Sequence, residues 1–218
     1  MGRRIFDVVV AAAALAVSSP LLLAAIVAIR LESPGPAIYR QRRVGRDGVP
    51  FDILKLRTMV TGAEHVGRGL AVSEGDTRIT RVGRLLRRAS LDELPNLVNV
   101  LRGEMSIIGP RPTVPVQVAR YTRRQRGRLD VKPGITGWAQ IHGRTTLPWD
   151  ERIELDLWYV EHRSWRVDLT ILARTVQMVL GGHGLYRGDV PAWRDVTSSE
   201  GRSLRRPEAE TRSPERER

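Results

Sequence analysis

Asp92 and Glu93 stand side by side in "SLDELPNL" (residues 90–97), directly after the basic run "RVGRLLRR". Adjacent carboxylates in cationic surroundings, where they are not tied up structurally, are candidates for chemistry. The same stretch also suits a structural role. Ser90 and Glu93 match the S-x-x-E capping box, and acidic side chains favour the positive end of a helix. Pro95 bears on where that helix begins. With Ser90 as N-cap, Pro95 falls inside the helix, where its missing N–H and its ring are costly. A start near Glu93 or Leu94 suits proline better, because proline is favoured at the first helical position. Both carboxylates then lie at a helix mouth, and on local grounds capping and chemistry both stay open.

The whole chain narrows the chemistry. Its 218 residues suffice for one good core with an additional segment. The absence of cysteine excludes a disulfide framework and a thiolate metal site, and fits a reducing compartment. The four histidines, His65, His142, His162 and His183, lack metal-ligand spacing. The formal charge is +12, carried almost wholly by arginine, with Lys55 and Lys132 the only lysines. Arginine's planar fork suits phosphate oxygens, although a biased genome composition would enrich it too. Such a charge implies anionic partners: nucleic acid, anionic lipid or phosphorylated small molecules. The few aromatics show no base-stacking pattern, which argues against nucleic acid.

The elements that must position these residues begin with an apolar run, Ile5 to Ile29, interrupted by the single charge of Asp7 and long enough to cross a bilayer as a helix. Arg3 and Arg4 precede it and Arg30 follows, so neither flank is marked for translocation. Near its middle, Ser18-Ser19-Pro20 removes a backbone bond and supplies hydroxyls for the groups that are freed. The expectation is a re-entrant helix-break-helix over residues 1–31, broken at Ser19 and Pro20. A mainly α (α+β) catalytic domain is expected over 32–194, with a disordered, Arg/Glu/Ser/Pro-rich tail over 195–218. Within the domain, "AIYRQRRVG" and "VPFDILKLRTM" joined through "RDG" predict a small β-hairpin, and residues 61–77 a surface loop. "TRITRVGRLLRRAS" places Ile79, Val82, Leu86 and Ala89 on one face of an amphipathic helix. "NLVNVLRGEM" predicts a short helix ended by Gly103, and "SIIGPRP" a tight loop. "VKPGITGWAQIHGR" predicts a glycine-rich loop that brings backbone close to a neighbour, and residues 148–180 one or two helices. Trp158, Tyr159 and Trp165 there are candidates for core or interface anchors.

Four blocks taken in order carry a resemblance: "KLRTM" (55–59), "DTRITRVGRLLRRASLDELPNLVNVLRGEMSIIGPRP" (76–112), "VKPGITGWAQIHGR" (131–144) and "ELDLWYVEHRSWRVDLTIL" (154–172). They resemble the bacterial sugar transferases, the monotopic polyprenyl-phosphate phosphoglycosyl transferases in their minimal form. The resemblance implies transfer of a sugar-1-phosphate from a UDP-sugar to polyprenyl (undecaprenyl) phosphate with Mg²⁺. This would be the first step of lipid-linked glycan or exopolysaccharide assembly, at the cytoplasmic face of the bacterial inner membrane. It further implies Asp92 as the nucleophile that forms a phosphosugar–aspartyl intermediate and Glu93 as the metal-holding carboxylate. Lys55, Arg87, Arg111 and Arg144 match the family's basic positions, and Ser19-Pro20 its re-entrant break. Arg111 is fixed between Pro110 and Pro112 as a preorganised fork for phosphate. Glu104 and His142 depart from the family's more usual Asp and Asn, changes that bear on sugar preference. Two other classes compete: a basic membrane-attached scaffold without chemistry, and a membrane phosphohydrolase in which water replaces the lipid acceptor.

Overall fold

Alanine, leucine and valine dominate residues 5–29, and in the computed structural model this composition yields one long helix, α1 (Gly2–Glu32). The structure describes residues 2–65, 75–143 and 147–181. Helical structure continues through Pro20. Expected instead were two helices separated by a break at Ser19-Pro20, and the serines give the physical reason for the difference. Proline leaves the carbonyl four residues back without its donor, and Ser19 Oγ donates to that Ala16 carbonyl at 2.8 Å. Ser18 Oγ donates to Ala14 O at 2.7 Å, one turn earlier.

Both flanks of Pro20 are bound to the same body. Phe6, Val10, Ala11 and Ala14 pack into the main core with Val100, Met105 and Ile107. Leu22, Ala25, Ile26 and Ile29 pack with Leu56 and Leu86. Between them Val17, Ser19, Pro20 and Leu21 are exposed. Polar contacts fix the two ends. Arg4 donates to the carbonyls of Val100 (2.6 Å) and Leu101 (2.8 Å), and Arg3 pairs with Asp168 at 3.0 Å. Asp7 is buried and accepts from Ser106 Oγ and from the Ile107 N–H, both at 2.9 Å. At the other end Glu32 accepts from the N–H groups of Arg81 (2.6 Å) and Val82 (3.0 Å), the open donors of the next helix.

The hairpin forms as expected, β1 (Ile38–Val44) antiparallel to β2 (Pro50–Leu56). Its turn uses left-handed backbone at Asp47 (φ 56°) and Gly48 (φ 78°). Register pairs Tyr39 with Lys55, and Gln41 with Ile53. Alternation therefore places Tyr39, Gln41, Arg43 and Lys55 on one face. The far edge of β2 is closed by a side chain: Asn99, fully buried, accepts from the Leu54 N–H (3.1 Å) and donates to Asp52 O (2.8 Å) and Glu104 (2.7 Å).

Helix α2 (Arg81–Arg88) is shorter than the sequence pattern suggests. Thr80 caps it, accepting from the Gly83 N–H, and Ile79 instead bridges to Met59. Val82 and Leu86 face the core as expected. Helix α3 (Asn96–Arg102) ends at Gly103 in left-handed conformation (φ 84°). Two segments expected as loops contain a short parallel pair, β3 (Ser106–Ile108) with β4 (Gly134–Thr136). The close approach expected of the glycines is real: a Cβ on Gly134 would lie 2.1 Å from the Gly109 nitrogen. The basic stretch 114–129 folds as α4 (Pro115–Val118), α5 (Arg123–Arg126) and a 3-10 turn over Gly127–Leu129. Next come α6 (Trp138–Ile141), α7 (Trp149–His162) and α8 (Trp165–Leu180). Tyr159 is core, whereas Trp158 and Trp165 remain partly exposed, Trp158 stacked on Trp138. Only residues 61–65 and 75–77 of the expected 61–77 loop are described. The expected tail, 195–218, lies outside the described residues.

The Asn99 contacts make a stability prediction. Asn99→Ala leaves buried backbone groups of β2 without partners, at a cost of about 1–3 kcal/mol. The melting temperature of the detergent-solubilised protein should fall by roughly 2–12 °C. A melting temperature within a degree of wild type would remove this account of how β2 is closed.

Candidate active site

Asp92 and Glu93 lie in a 3-10 turn, Leu91–Glu93, between α2 and α3. The capping box does not form: Ser90 is left-handed (φ 56°) and its side chain makes no cap hydrogen bond. Leu94 and Pro95 already have helical backbone angles, and α3 begins directly after them. Proline there gives up an N–H that the first helical turn does not use. The helix thus starts just beyond the two acids and holds them at its mouth.

The two carboxylates face different surroundings. Glu93 Oε1 receives Lys55 Nζ at 2.8 Å and Arg111 Nη2 at 2.6 Å, while Oε2 has the longer Arg111 Nη1 contact at 3.4 Å. Burial alone would push Glu93 up, but the cations of Arg111 and Lys55 overcome it and hold the carboxyl well below the usual range. Asp92 is buried, and burial followed by the neighbouring Glu93 charge pushes its carboxyl up. Lys55, Arg87 and Arg111 offset part of that rise. Lys55 is itself lowered, chiefly by burial, with the two carboxylates acting against the shift. One acid is therefore locked as an anion, and the other is a more basic carboxylate, which makes it the better nucleophile once ionised.

Asp92, Lys55 and Arg87 lie on the wall of a cleft of about 850 Å³, which also reaches Ile26 and Arg30 of α1 and Gln41 and Arg43 of β1. Glu93 and Arg111 do not line it; Glu93 is bonded to Lys55, and Arg111 to Glu93. The structure thus brings together Lys55, Arg87, Asp92, Glu93 and Arg111. Arg144 lies outside the described residues. Ser19 and Pro20 are on the exposed middle of α1. Glu104 bonds to Asn99, and His142 packs against Trp138 (ring centroids 4.3 Å apart); neither lines the cleft. Among the described residues no group of three or more His, Cys, Asp or Glu could hold a metal. Glu93 Oε2, which among the described residues has the one long contact, is a suitable oxygen for a hard cation that arrives with phosphate ligands of its own.

Two sets of residues escaped the sequence reading. Arg128, buried, donates to the Arg111 carbonyl (2.8 Å), to Asp156 (2.6 Å), to Thr113 Oγ1 (2.6 Å) and to the Tyr121 hydroxyl. It fixes the "GPRP" loop from behind. Nothing in "RRQRGRL" separates Arg128 from its solvated neighbours, because its partners come from distant segments. Arg43 donates to Pro112 O (3.2 Å) and to Gln41, and burial with the nearby Arg111 charge lowers it to about 10. Strand alternation from Lys55 across the hairpin is the signal that could have found it.

Comparison with known proteins agrees with these blocks. The sequence matches the family described as "Bacterial sugar transferase" over residues 1–182. It is 43% identical over 185 residues to an uncharacterized sugar transferase, EpsL, of Bacillus subtilis, covering 85% of this chain and 90% of that protein. It is 47% identical over 194 residues to the UDP-glucose:undecaprenyl-phosphate glucose-1-phosphate transferase of Caulobacter vibrioides, covering 84% and 72%. It is 36% identical over 200 residues to the exopolysaccharide production protein ExoY of Rhizobium meliloti, covering 85% and 88%.

The electrostatics of the pair can be measured directly. In ¹³C-aspartate-labelled protein, the resonance lost in Asp92→Asn should titrate above the ordinary aspartate value of about 3.9. Lys55→Met removes a cation that favours the anion, so the titration should move further up. A shift to lower pH would show that Lys55 does not act on Asp92 as the geometry implies.

Proposed function

The chain belongs to the bacterial sugar transferase family, and on that premise we propose that it moves a sugar-1-phosphate from a UDP-sugar to polyprenyl phosphate. The observation that carries this reading is Asp92 on the cleft wall beside Lys55 and Arg87, with Glu93 pinned as an anion behind it. An Asp92 oxygen attacks the phosphorus next to the sugar, and the bond from that phosphorus to the bridging oxygen breaks. UMP leaves with the electron pair. An oxygen of the lipid phosphate then attacks the same phosphorus and displaces the Asp92 carboxylate, which is regenerated. Lys55 and Arg87 hold phosphate oxygens against the charge of the nucleophile. Arg111, held by Arg128, keeps Glu93 in place. Glu93 would hold Mg²⁺, which when bound neutralises charge on the diphosphate.

The same reading places the protein on a membrane. Helix α1 is long and apolar enough to cross one, and most of its surface is uncovered. Its two ends are fixed to one body, and the exposed apolar middle around Pro20 is the part left to meet the lipid. Arginines at both ends favour the cytoplasmic side, where nucleotide sugars are found. A membrane-bound product of this kind would start lipid-linked glycan assembly.

Purified protein in detergent with Mg²⁺, a panel of UDP-sugars and radiolabelled UMP, without lipid, should exchange label into one UDP-sugar. Asp92→Asn should abolish the exchange while the protein still fractionates with membranes. Product formation on added polyprenyl phosphate with no exchange at all would mean direct transfer, and Asp92 would lose its role as nucleophile.

A further inference from the structure

The cleft joins two chemically different surfaces, and the active-site residues lie between them. At one end its wall includes Ile26 and Arg30, one turn apart on the same face of α1. Around them Leu23, Val27 and Leu31 are exposed apolar side chains, and Arg30 is the basic residue of the helix's last turn. Pro36 and Ala37 continue this end of the wall, and Ala37 packs with Ala25 and Ile29. The rim is rigid there, because Arg57 donates to the carbonyls of Ser33 (2.7 Å) and Pro34 (2.9 Å). From Ala37 the wall follows β1 to Gln41 and Arg43, roughly 20 Å further at strand rise. That end is polar, with the Arg43 guanidinium bonded to Gln41 and to the "GPRP" loop, and its Nε buried without a hydrogen-bond partner among the described residues.

We infer that this is a two-port cleft: the isoprenyl phosphate acceptor enters over Ile26 and Arg30, and the nucleoside monophosphate half of the donor lies over Gln41 and Arg43. The inference rests on the transferase reading and extends it to how two unlike substrates share one nucleophile. The acceptor oxygen must attack the phosphorus from the side that UMP has left, so both substrates place a phosphate at the same position near Lys55 and Arg87. They can differ only in where the remainder of each molecule goes. An isoprene chain cannot leave the lipid phase cheaply, and the apolar end is the one continuous with α1. Arg30, exposed at the mouth, meets the phosphate as the chain slides in.

The test separates the two half-reactions in the full chain, measuring UMP exchange without lipid and then transfer to undecaprenyl phosphate. Arg30→Gln should raise the KM for undecaprenyl phosphate about tenfold, and the KM for UDP-sugar in exchange should stay within about twofold of wild type. Ile26→Trp, which fills the apolar end, should act in the same direction, its retained exchange reporting an intact fold. Arg43→Gln should do the reverse, raising the UDP-sugar KM in exchange and sparing the acceptor KM. Equal effects of Arg30→Gln and Arg43→Gln on both constants would mean a single shared port and would overturn the assignment. So would wild-type acceptor kinetics in both Arg30→Gln and Ile26→Trp. Absence of exchange in the wild-type protein would instead strike at the transferase mechanism, and the two failures are therefore distinct.

Discussion

Three separate parts of the chain meet at one carboxylate. Glu93, on the turn before α3, is bonded by Lys55 from the hairpin and by Arg111 from the loop after β3. Lys55 is held where desolvation would otherwise disfavour its charge, and both cations are paired with the same anion. Removing any one of the three leaves charge uncompensated in a partly dry site. The pairing also sets the character of Asp92. With Glu93 committed to two cations, the second acid faces the cleft alone, raised by burial and by its neighbour and restrained by the positive charges. The division of labour between two identical functional groups follows from which of them the cations can reach.

Behind this pairing stands a second buried ion pair, between Arg128 and Asp156, whose remaining hydrogen bonds reach the Arg111 carbonyl, Thr113 and Tyr121. A proline on either side limits the Arg111 backbone, and Arg128 fixes its carbonyl. The backbone that carries the fork is thereby held in place by the fold itself. Pairs of this kind add little net stability, since the cost of desolvation offsets most of the attraction. Their effect here is on position.

Helix α1 is integral to the catalytic body as well as an apolar segment. Asp7, Arg3 and Arg4 bind its first turns to β3, α3 and α8, and Glu32 supplies the missing acceptors at the start of α2. Because α2 leads directly into the turn carrying Asp92 and Glu93, the long apolar helix and that turn are coupled by a few hydrogen bonds.

The long apolar helix, the hairpin, the stop at Gly103 and the place of the two acids ahead of a proline-started helix are all legible in the residue pattern. Each of these is a local consequence of periodicity, turn chemistry or backbone restriction. The block pattern around Asp92 and Glu93 was enough to identify the family. The continuity of α1 through Pro20 was decided by the Ser19 hydroxyl, which replaces the donor that the proline removes. The β3–β4 pair, read as loops, is too short to show a period and joins segments far apart in the chain. Tertiary structure alone decided which arginines matter. Arg43 and Arg128 look like any others in a chain so rich in arginine, and only their burial against distant carbonyls and carboxylates sets them apart. It also decided that Glu93 is the pinned acid and Asp92 the one facing the cleft, because that choice depends on where Lys55 and Arg111 arrive from the rest of the fold.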